Sequence, residues 1–316
     1  MKILIISNVL NNTINSSLYN LLGATKELIS TTDSTCDILL LGYNILDVIK
    51  EIKHLKIINN LLIIDNLKIR DLVVENIAKQ LSDIVKEYSH VLINSDSFGK
   101  NLLPRIAGIL DIGQISDVVK IISPNIFRRY TYAGNILTEV ESLHDINLLT
   151  IRSNNFNSYK EYSDKEINIK QIGYNNDECH NVKFIDMKVH NDTISLNNAK
   201  VIVSGGVSLE SKLNFDTLIR GLAKKLNAAV GATRTAVEAG YISNDCQIGQ
   251  TGTIVSPYLY IAIGISGAVQ HIAGIKDSKI VIAINKDSNA PIFEHANYGL
   301  IGDLFEIIPY LINEIK

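Results

Sequence analysis

Short runs of β-branched and aliphatic residues, each closed by a small or polar cluster, recur along this chain at 2–7, 37–42, 60–64, 90–94, 200–204, 228–231, 259–265 and 279–284. Runs this short and this uniformly apolar fit strands buried on both faces of a sheet. Between them apolar residues return at helical spacing. Leu72, Val73 and Val74, then Ile77, Ala78, Leu81, Ile84 and Val85 predict an amphipathic helix over about 70–88, and similar patterns fill 215–226 and 304–315. Strand, helix, strand in this order predicts parallel sheets with crossover helices. After Pro124 the pattern becomes alternating through 129–140 and 147–152, with no strong helix between. That change predicts antiparallel strands added to the first sheet.

A chain of 316 residues suits two domains rather than one. Residues 154–181 are polar, rich in Asn, Tyr, Ser, Lys and Glu, and read as a surface excursion. Turn chemistry at His190-Asn191-Asp192 and Asn197-Asn198 then precedes a new strand. The expected division is therefore an α/β domain over 1–190, its parallel sheet carrying added antiparallel strands, and a doubly wound α/β domain over 191–316.

The formal charge of −3 and the lack of a Lys/Arg run give no general field for nucleic acid or anionic lipid. No apolar stretch approaches the roughly 18 residues of a membrane span, so direct membrane insertion is not expected. Met1 leads straight into a strand-like run without a signal-peptide pattern, and the cytoplasm is the expected location. Cys36, Cys179 and Cys246 are far apart, without zinc-ligand spacing, and read as reduced thiols. No metal is expected.

In open parallel sheets a ligand sits beyond the carboxyl ends of the strands. Those ends read Ser204-Gly205-Gly206, Thr233-Arg234, Ile265-Ser266-Gly267 and Asn285-Lys286-Asp287, a small or polar cluster after every run. Glycine there lets backbone approach a phosphate, and a helix opened by Ser266-Gly267 would aim N–H groups at a pyrophosphate. Neither G-x-G-x-x-G nor the Walker pattern occurs, so the common NAD and ATP modes lose support. On spacing alone, helix caps and tight turns account for these clusters equally well.

Gly231-Ala232-Thr233-Arg234-Thr235-Ala236-Val237-Glu238-Ala239-Gly240-Tyr241, Gln247-Ile248-Gly249-Gln250-Thr251-Gly252 and Gly264-Ile265-Ser266-Gly267-Ala268-Val269-Gln270-His271 resemble the α-subunit of electron transfer flavoprotein. The resemblance continues through 277–287, Ala290-Pro291-Ile292-Phe293, Tyr298-Gly299-Leu300 and Asp303-Leu304-Phe305. Earlier in the chain it extends to 98–105, Gln114-Ile115-Ser116-Asp117 and Tyr132-Ala133-Gly134-Asn135. It implies a flavodoxin-like FAD-binding domain in the second half and a first domain that packs on a partner.

The resemblance also implies roles, each with a plainer alternative. Arg234 matches the cation that lies against the flavin ring and favours its negatively charged reduced forms; an Arg at a strand end also serves a surface ion pair. Thr251, followed by Gly252, matches the hydroxyl bonded to flavin N5, or stabilises a turn. His271 matches a donor near the pyrimidine edge of the ring, or is a packed histidine. Ser266, Gly267 and Gln270 match pyrophosphate and ribityl contacts. Asn285 and Asp303 match the adenosine half, or are a turn Asn and a helix N-cap. Thr233 stands where the family usually has Ser and keeps the hydroxyl, while Gln247 and Gln250 reach the flavin or serve the loop. One departure is clear: the family's Ser-Gly-Gly-Arg-Gly is Ser204-Gly205-Gly206-Val207-Ser208 here, so an apolar side chain replaces a cofactor-contacting cation.

The function so implied is that of a heterodimeric electron carrier of fatty acid β-oxidation, without a small-molecule substrate of its own. It accepts electrons from acyl-CoA and related dehydrogenases and delivers them to the membrane enzyme electron transfer flavoprotein-ubiquinone oxidoreductase. The β-subunit completes the pocket and carries AMP. Two competing readings are a nucleotide-dependent adenylating or hydrolase-like enzyme, which lacks motif support, and a binding module that has lost its flavin, which draws on Val207 alone.

Overall fold

A computed structural model describes residues 1–10, 12–29, 34–132, 134–164, 167–175, 182, 184–186, 194–196 and 199–315. The chain divides into two compact units, Met1–Thr131 with Ile136–Met187, and Tyr132–Asn135 with Lys188–Lys316. The turn residues read at 190–192 and 197–198, and Cys179, lie outside the described residues.

The first unit holds strands β1 (Lys2–Leu10), β2 (Thr13–Ile14), β3 (Thr35–Gly42), β4 (Asn60–Asp65), β5 (His90–Asn94), β6 (Gln114–Ser123), β7 (Ile126–Thr131), β8 (Ile136–Glu141), β9 (Asn147–Ile151) and β10 (Asn168–Gln171). They form one sheet in the order β10-β4-β3-β1-β5-β9-β6-β7-β8, with β2 beside β1. Helices α1 (Ser17–Ile29), α2 (Leu46–Ile52), α3 (Val74–Val85) and α4 (Ser97–Leu110) connect them. Mostly apolar strands are favoured because side chains alternate between two buried faces. Ile3 and Ile5 enter one core with Leu22 and Leu28, whereas Leu4 and Ile6 enter the other with Ile77, Leu81 and Ile106.

Two expectations are corrected in this unit. The strands β7 and β8 are antiparallel additions, but β9 is inserted between β5 and β6 and runs parallel to both. The polar 154–181 stretch is also not only an excursion, since β10 joins the sheet edge parallel to β4. All four residues of β10 are exposed, so burial left no apolar signature to read.

In the second unit β11 (Val201–Gly205), β12 (Ala229–Ala232), β13 (Leu259–Ile263), β14 (Ile280–Asn285) and β15 (Tyr298–Ile301) pair in the order β12-β11-β13-β14-β15, every pair parallel. Numbered from its first strand this is 2-1-3-4-5, the flavodoxin-like doubly wound order, with its switch point between β11 and β13. The expected α/β class thus holds in both units. Helical segments are α5 (Lys212–Asn214), α6 (Gly221–Lys225), α7 (Arg234–Glu238), α8 (Val269–Ile272) and α9 (Leu304–Glu314), and a wide turn over Phe215–Arg220 joins α5 to α6. Val203, Ile261 and Ile263 pack with Phe215, Ile219 and Ile308 on one face; Ile202, Tyr260 and Ala262 pack with Ile248 and Ile292 on the other. No described helix is long and apolar enough to cross a membrane.

Candidate functional site

The carboxyl edge of the second sheet is built from backbone in close approach. Gly206 N–H donates to Ile263 O at 2.9 Å, and a Cβ on Gly206 would lie 2.0 Å from Gly264 O. The tails of β11 and β13 therefore touch without side chains between them. Gly264 and Gly267 both take positive φ, 61° and 89°, which turns the chain after β13. A Cβ on Gly267 would lie 2.3 Å from Ile292 N.

After β12, Thr233 N–H donates to Gly205 O at 3.1 Å, and its hydroxyl caps α7 by accepting from Ala236 N–H at 3.3 Å. Arg234 follows, exposed, with its Nε 2.7 Å from Glu238 Oε1 one helical turn on. The surface ion-pair alternative thus describes its partner in this chain.

The 247–252 loop hooks onto the same strand. Ile248 N–H donates to Ala232 O at 2.9 Å, while Gln250 N–H donates to Gln270 O at 2.8 Å, tying the loop to α8. Buried Gln247 donates from Nε2 to Thr251 Oγ1 at 3.0 Å. Because that oxygen accepts from Gln247, the Thr251 O–H proton is directed elsewhere, and Thr251 itself is exposed. A Cβ on Gly252 would meet Gln247 O at 2.3 Å, so the tight return needs glycine there.

Ser266 is exposed beyond β13, and its carbonyl accepts from Ile292 N–H at 3.0 Å. The helix expected to open at Ser266-Gly267 starts instead at Val269 and has only four residues, because the left-handed Gly267 breaks the helical path. Gln270, the second residue of that helix, is exposed. Asn285 is buried and works as a brace: Nδ2 donates to Ile265 O and Oδ1 accepts from Asp287 N–H, both at 3.0 Å. Asp303 caps α9, its Oδ1 accepting from Phe305 N–H at 2.8 Å.

His271 is the most constrained member. It is 6% exposed, with Nε2 2.9 Å from the Tyr260 hydroxyl and Nδ1 3.1 Å from the carbonyl of Ile248. Burial pushes its pKa down to about 4, against the smaller opposing effect of the Ile248 carbonyl. The ring is therefore neutral near pH 7, and both nitrogens are engaged within the chain.

All the candidates lie at the carboxyl ends of β12, β13, β14 and β15 or in the segments that follow them, although His271 reaches back to Tyr260 near the start of β13. Direct bonds join Gln247 to Thr251 and Gln250 to Gln270; those of His271 run to Ile248 and Tyr260, and Asn285 grips the tail leading to Ser266. Arg234 and Asp303 make their side-chain bonds within their own helices. Sequence reasoning passed over Tyr260, although a phenol inside an apolar strand signals a buried partner for its hydroxyl. Among the described residues no His, Cys, Asp and Glu group could hold a metal.

Known proteins align with the whole of this arrangement. Residues 195–276 match the family described as electron transfer flavoprotein FAD-binding domain, and residues 3–172 match the electron transfer flavoprotein domain. Electron transfer flavoprotein subunit alpha of Pseudomonas aeruginosa is 39% identical over 311 residues, covering 98% of this chain and 99% of that protein. The mitochondrial subunit alpha of Arabidopsis thaliana is 45% identical over 273 residues, 82% of this chain and 74% of that protein. The subunit alpha of Bradyrhizobium diazoefficiens is 41% identical over 242 residues, 76% of each.

Proposed function

This chain belongs to the electron transfer flavoprotein α-subunit family, and from that premise we propose that it is the FAD-carrying half of a heterodimeric carrier serving acyl-CoA and related dehydrogenases. The electrons leave for the membrane quinone reductase, electron transfer flavoprotein-ubiquinone oxidoreductase. What supports the reading is the parallel 2-1-3-4-5 sheet, whose strands are followed at their carboxyl ends by the segments that carry the hydroxyls, amides and Arg234 cation of the candidate site. The β-subunit, with its AMP, completes the pocket, and the 1–190 region packs on it; exposed Ile136 and Leu137 on β8 support such a contact. The free thiols Cys36 and Cys246 suit a reducing compartment, the cytoplasm.

The donor set fits FAD. Glycine at 206, 264 and 267 lets the strand tails and the segment at Ile292 pack backbone to backbone, and that packing presents exposed Ser266 and Gln270, which we assign to the pyrophosphate and ribityl chain. FAD, when bound, supplies a centre that takes up and releases electrons singly or in pairs. Thr251 is held by Gln247 so that its O–H is available to the ring, and Gln250 and Gly252 shape the loop that presents it. Thr233 sets the start of α7 and Arg234 offers a permanent cation beside it. His271 stands behind the 247–252 loop as a buried neutral ring whose N–H is taken by Ile248, and we assign the charge on the reduced cofactor to Arg234. Asn285 and Asp303 frame the adenosine end.

Coexpression with a β-subunit, followed by the visible spectrum and cofactor stoichiometry of the purified complex, tests the reading; a colourless complex that takes up no FAD rejects it. Flavin reduction on adding an acyl-CoA dehydrogenase and its substrate is the expected second result. ATP turnover by the isolated chain would favour the hydrolase-like alternative.

Arg234→Ala separates the cation's role from its ion pair. The exposed pair with Glu238 contributes at most about 0.5 kcal/mol, so thermal stability is expected to stay unchanged. Loss of a charge-assisted contact of about 1.5 kcal/mol to the reduced ring would lower the two-electron potential by roughly 30 mV. Redox titration checks this, and an unchanged potential removes Arg234 from the role.

A further inference from the structure

We infer that Tyr260 is a positioning residue for the ligand loop: by donating to His271 Nε2 it fixes the imidazole on the Ile248 carbonyl and so holds the 247–252 segment in place. The inference rests on the FAD reading only for its ligand readout; the hydrogen-bond geometry stands without it.

The argument is one of donors and acceptors. A carbonyl oxygen only accepts, so Nδ1, 3.1 Å from Ile248 O, carries the proton. A neutral ring then has a lone pair at Nε2, and the Tyr260 hydroxyl 2.9 Å away is the donor that meets it. Tyr260 is 0% exposed and its hydroxyl pKa is raised by burial, so it stays protonated and remains a donor. The two rings lie 6.1 Å apart at 55°, inside the core that also buries Ile248 and Ile272.

The clamp matters because of what Ile248 carries. Its N–H is bonded to Ala232 O at the end of β12, and its carbonyl is bonded to His271 on α8. One residue therefore joins the tail of β12 to α8, and on its C-terminal side lie Gln250, Thr251 and Gly252. Without the Tyr260 hydroxyl the buried Nε2 lone pair loses its donor while Nδ1–H stays on the Ile248 carbonyl. The imidazole is then held from one side only, and the 247–252 segment bonded to it is less firmly fixed.

The test uses the full chain with its β-subunit, labelled with ring-15N histidine, His271 being assigned by the signal that vanishes in His271→Gln. Near neutral pH the expected spectrum shows a proton on Nδ1 and none on Nε2; the opposite form, or a doubly protonated ring, overturns the inference whether or not FAD is bound. In Tyr260→Phe, FAD released on dilution and followed by flavin fluorescence is expected to dissociate with a Kd about tenfold higher. Wild-type affinity in this variant, with His271 still protonated at Nδ1, also overturns the inference. A wild-type complex that takes up no FAD would sink the functional reading instead, and the 15N spectrum would still decide the clamp. If Tyr260→Phe does not fold, the wild-type spectrum alone decides.

Discussion

Gly206→Ala is expected to cost about 3 to 5 kcal/mol of stability in the second unit and to abolish FAD uptake. The residue does not need a left-handed backbone, for its φ is −97°. It needs to lack a side chain. An added Cβ would stand 2.0 Å from Gly264 O and 2.8 Å from Gly264 C, both backbone atoms that cannot rotate aside. Relief requires the tails of β11 and β13 to separate, which breaks the 2.9 Å bond from Gly206 N–H to Ile263 O. Those tails form the switch point, so stability and cofactor uptake fall together. Gly108→Ala is the control: a Cβ there meets nothing within 4 Å on helix α4, and Ala should stabilise by up to about 1 kcal/mol. Urea unfolding of each variant, compared at equal m, measures both effects. A Gly206→Ala midpoint equal to wild type would show that the strand tails are not packed as described.

Acid is expected to destabilise the protein before its carboxylates protonate. The folded pKa of His271 is depressed to about 4 from an ordinary 6.5. Between those values the unfolded chain binds a proton that the folded chain refuses, so stability is fully present above about 6.5 and is lost as pH falls toward about 4. The full difference corresponds to about 3 kcal/mol. Buried His90, depressed for the same reason, adds in the same direction in the first unit. Asp117, held low by its Ser95 hydrogen bond and by Lys100 against the opposing effect of burial, loses its contribution only at still lower pH. Glu27, whose carboxyl pKa is raised by burial, binds its proton more readily in the folded chain and works in the opposite sense, so the difference between wild type and His271→Gln, not the wild-type slope alone, reports on His271. Urea midpoints from pH 6.5 down to about 5 should fall more steeply in wild type than in His271→Gln. Superimposable profiles for wild type and His271→Gln would mean that His271 is not held neutral in the core.

The apolar runs that recur along the chain determined the α/β class, the strands β1, β3, β4 and β5, and β11 to β14 to within a few residues, because a strand buried on both faces is apolar at most positions, with buried polar exceptions such as Asp37, His90 and Ser204. The carboxyl-edge clusters were legible for the same reason: where burial stops, small and polar residues begin. The strands β10 and β15 left no such mark, since all eight of their residues are exposed and only their neighbours' backbone makes them strands. That β9 lies parallel between β5 and β6 was likewise decided by pairing among segments distant in sequence, which local periodicity does not encode. At the site, the family resemblance nominated Thr251 and His271. Only the tertiary structure decided what each can do, because a hydroxyl or imidazole takes its donor or acceptor role from its bonded neighbours. Gln247 turns the Thr251 hydroxyl outward, and Tyr260 with Ile248 occupies both nitrogens of His271.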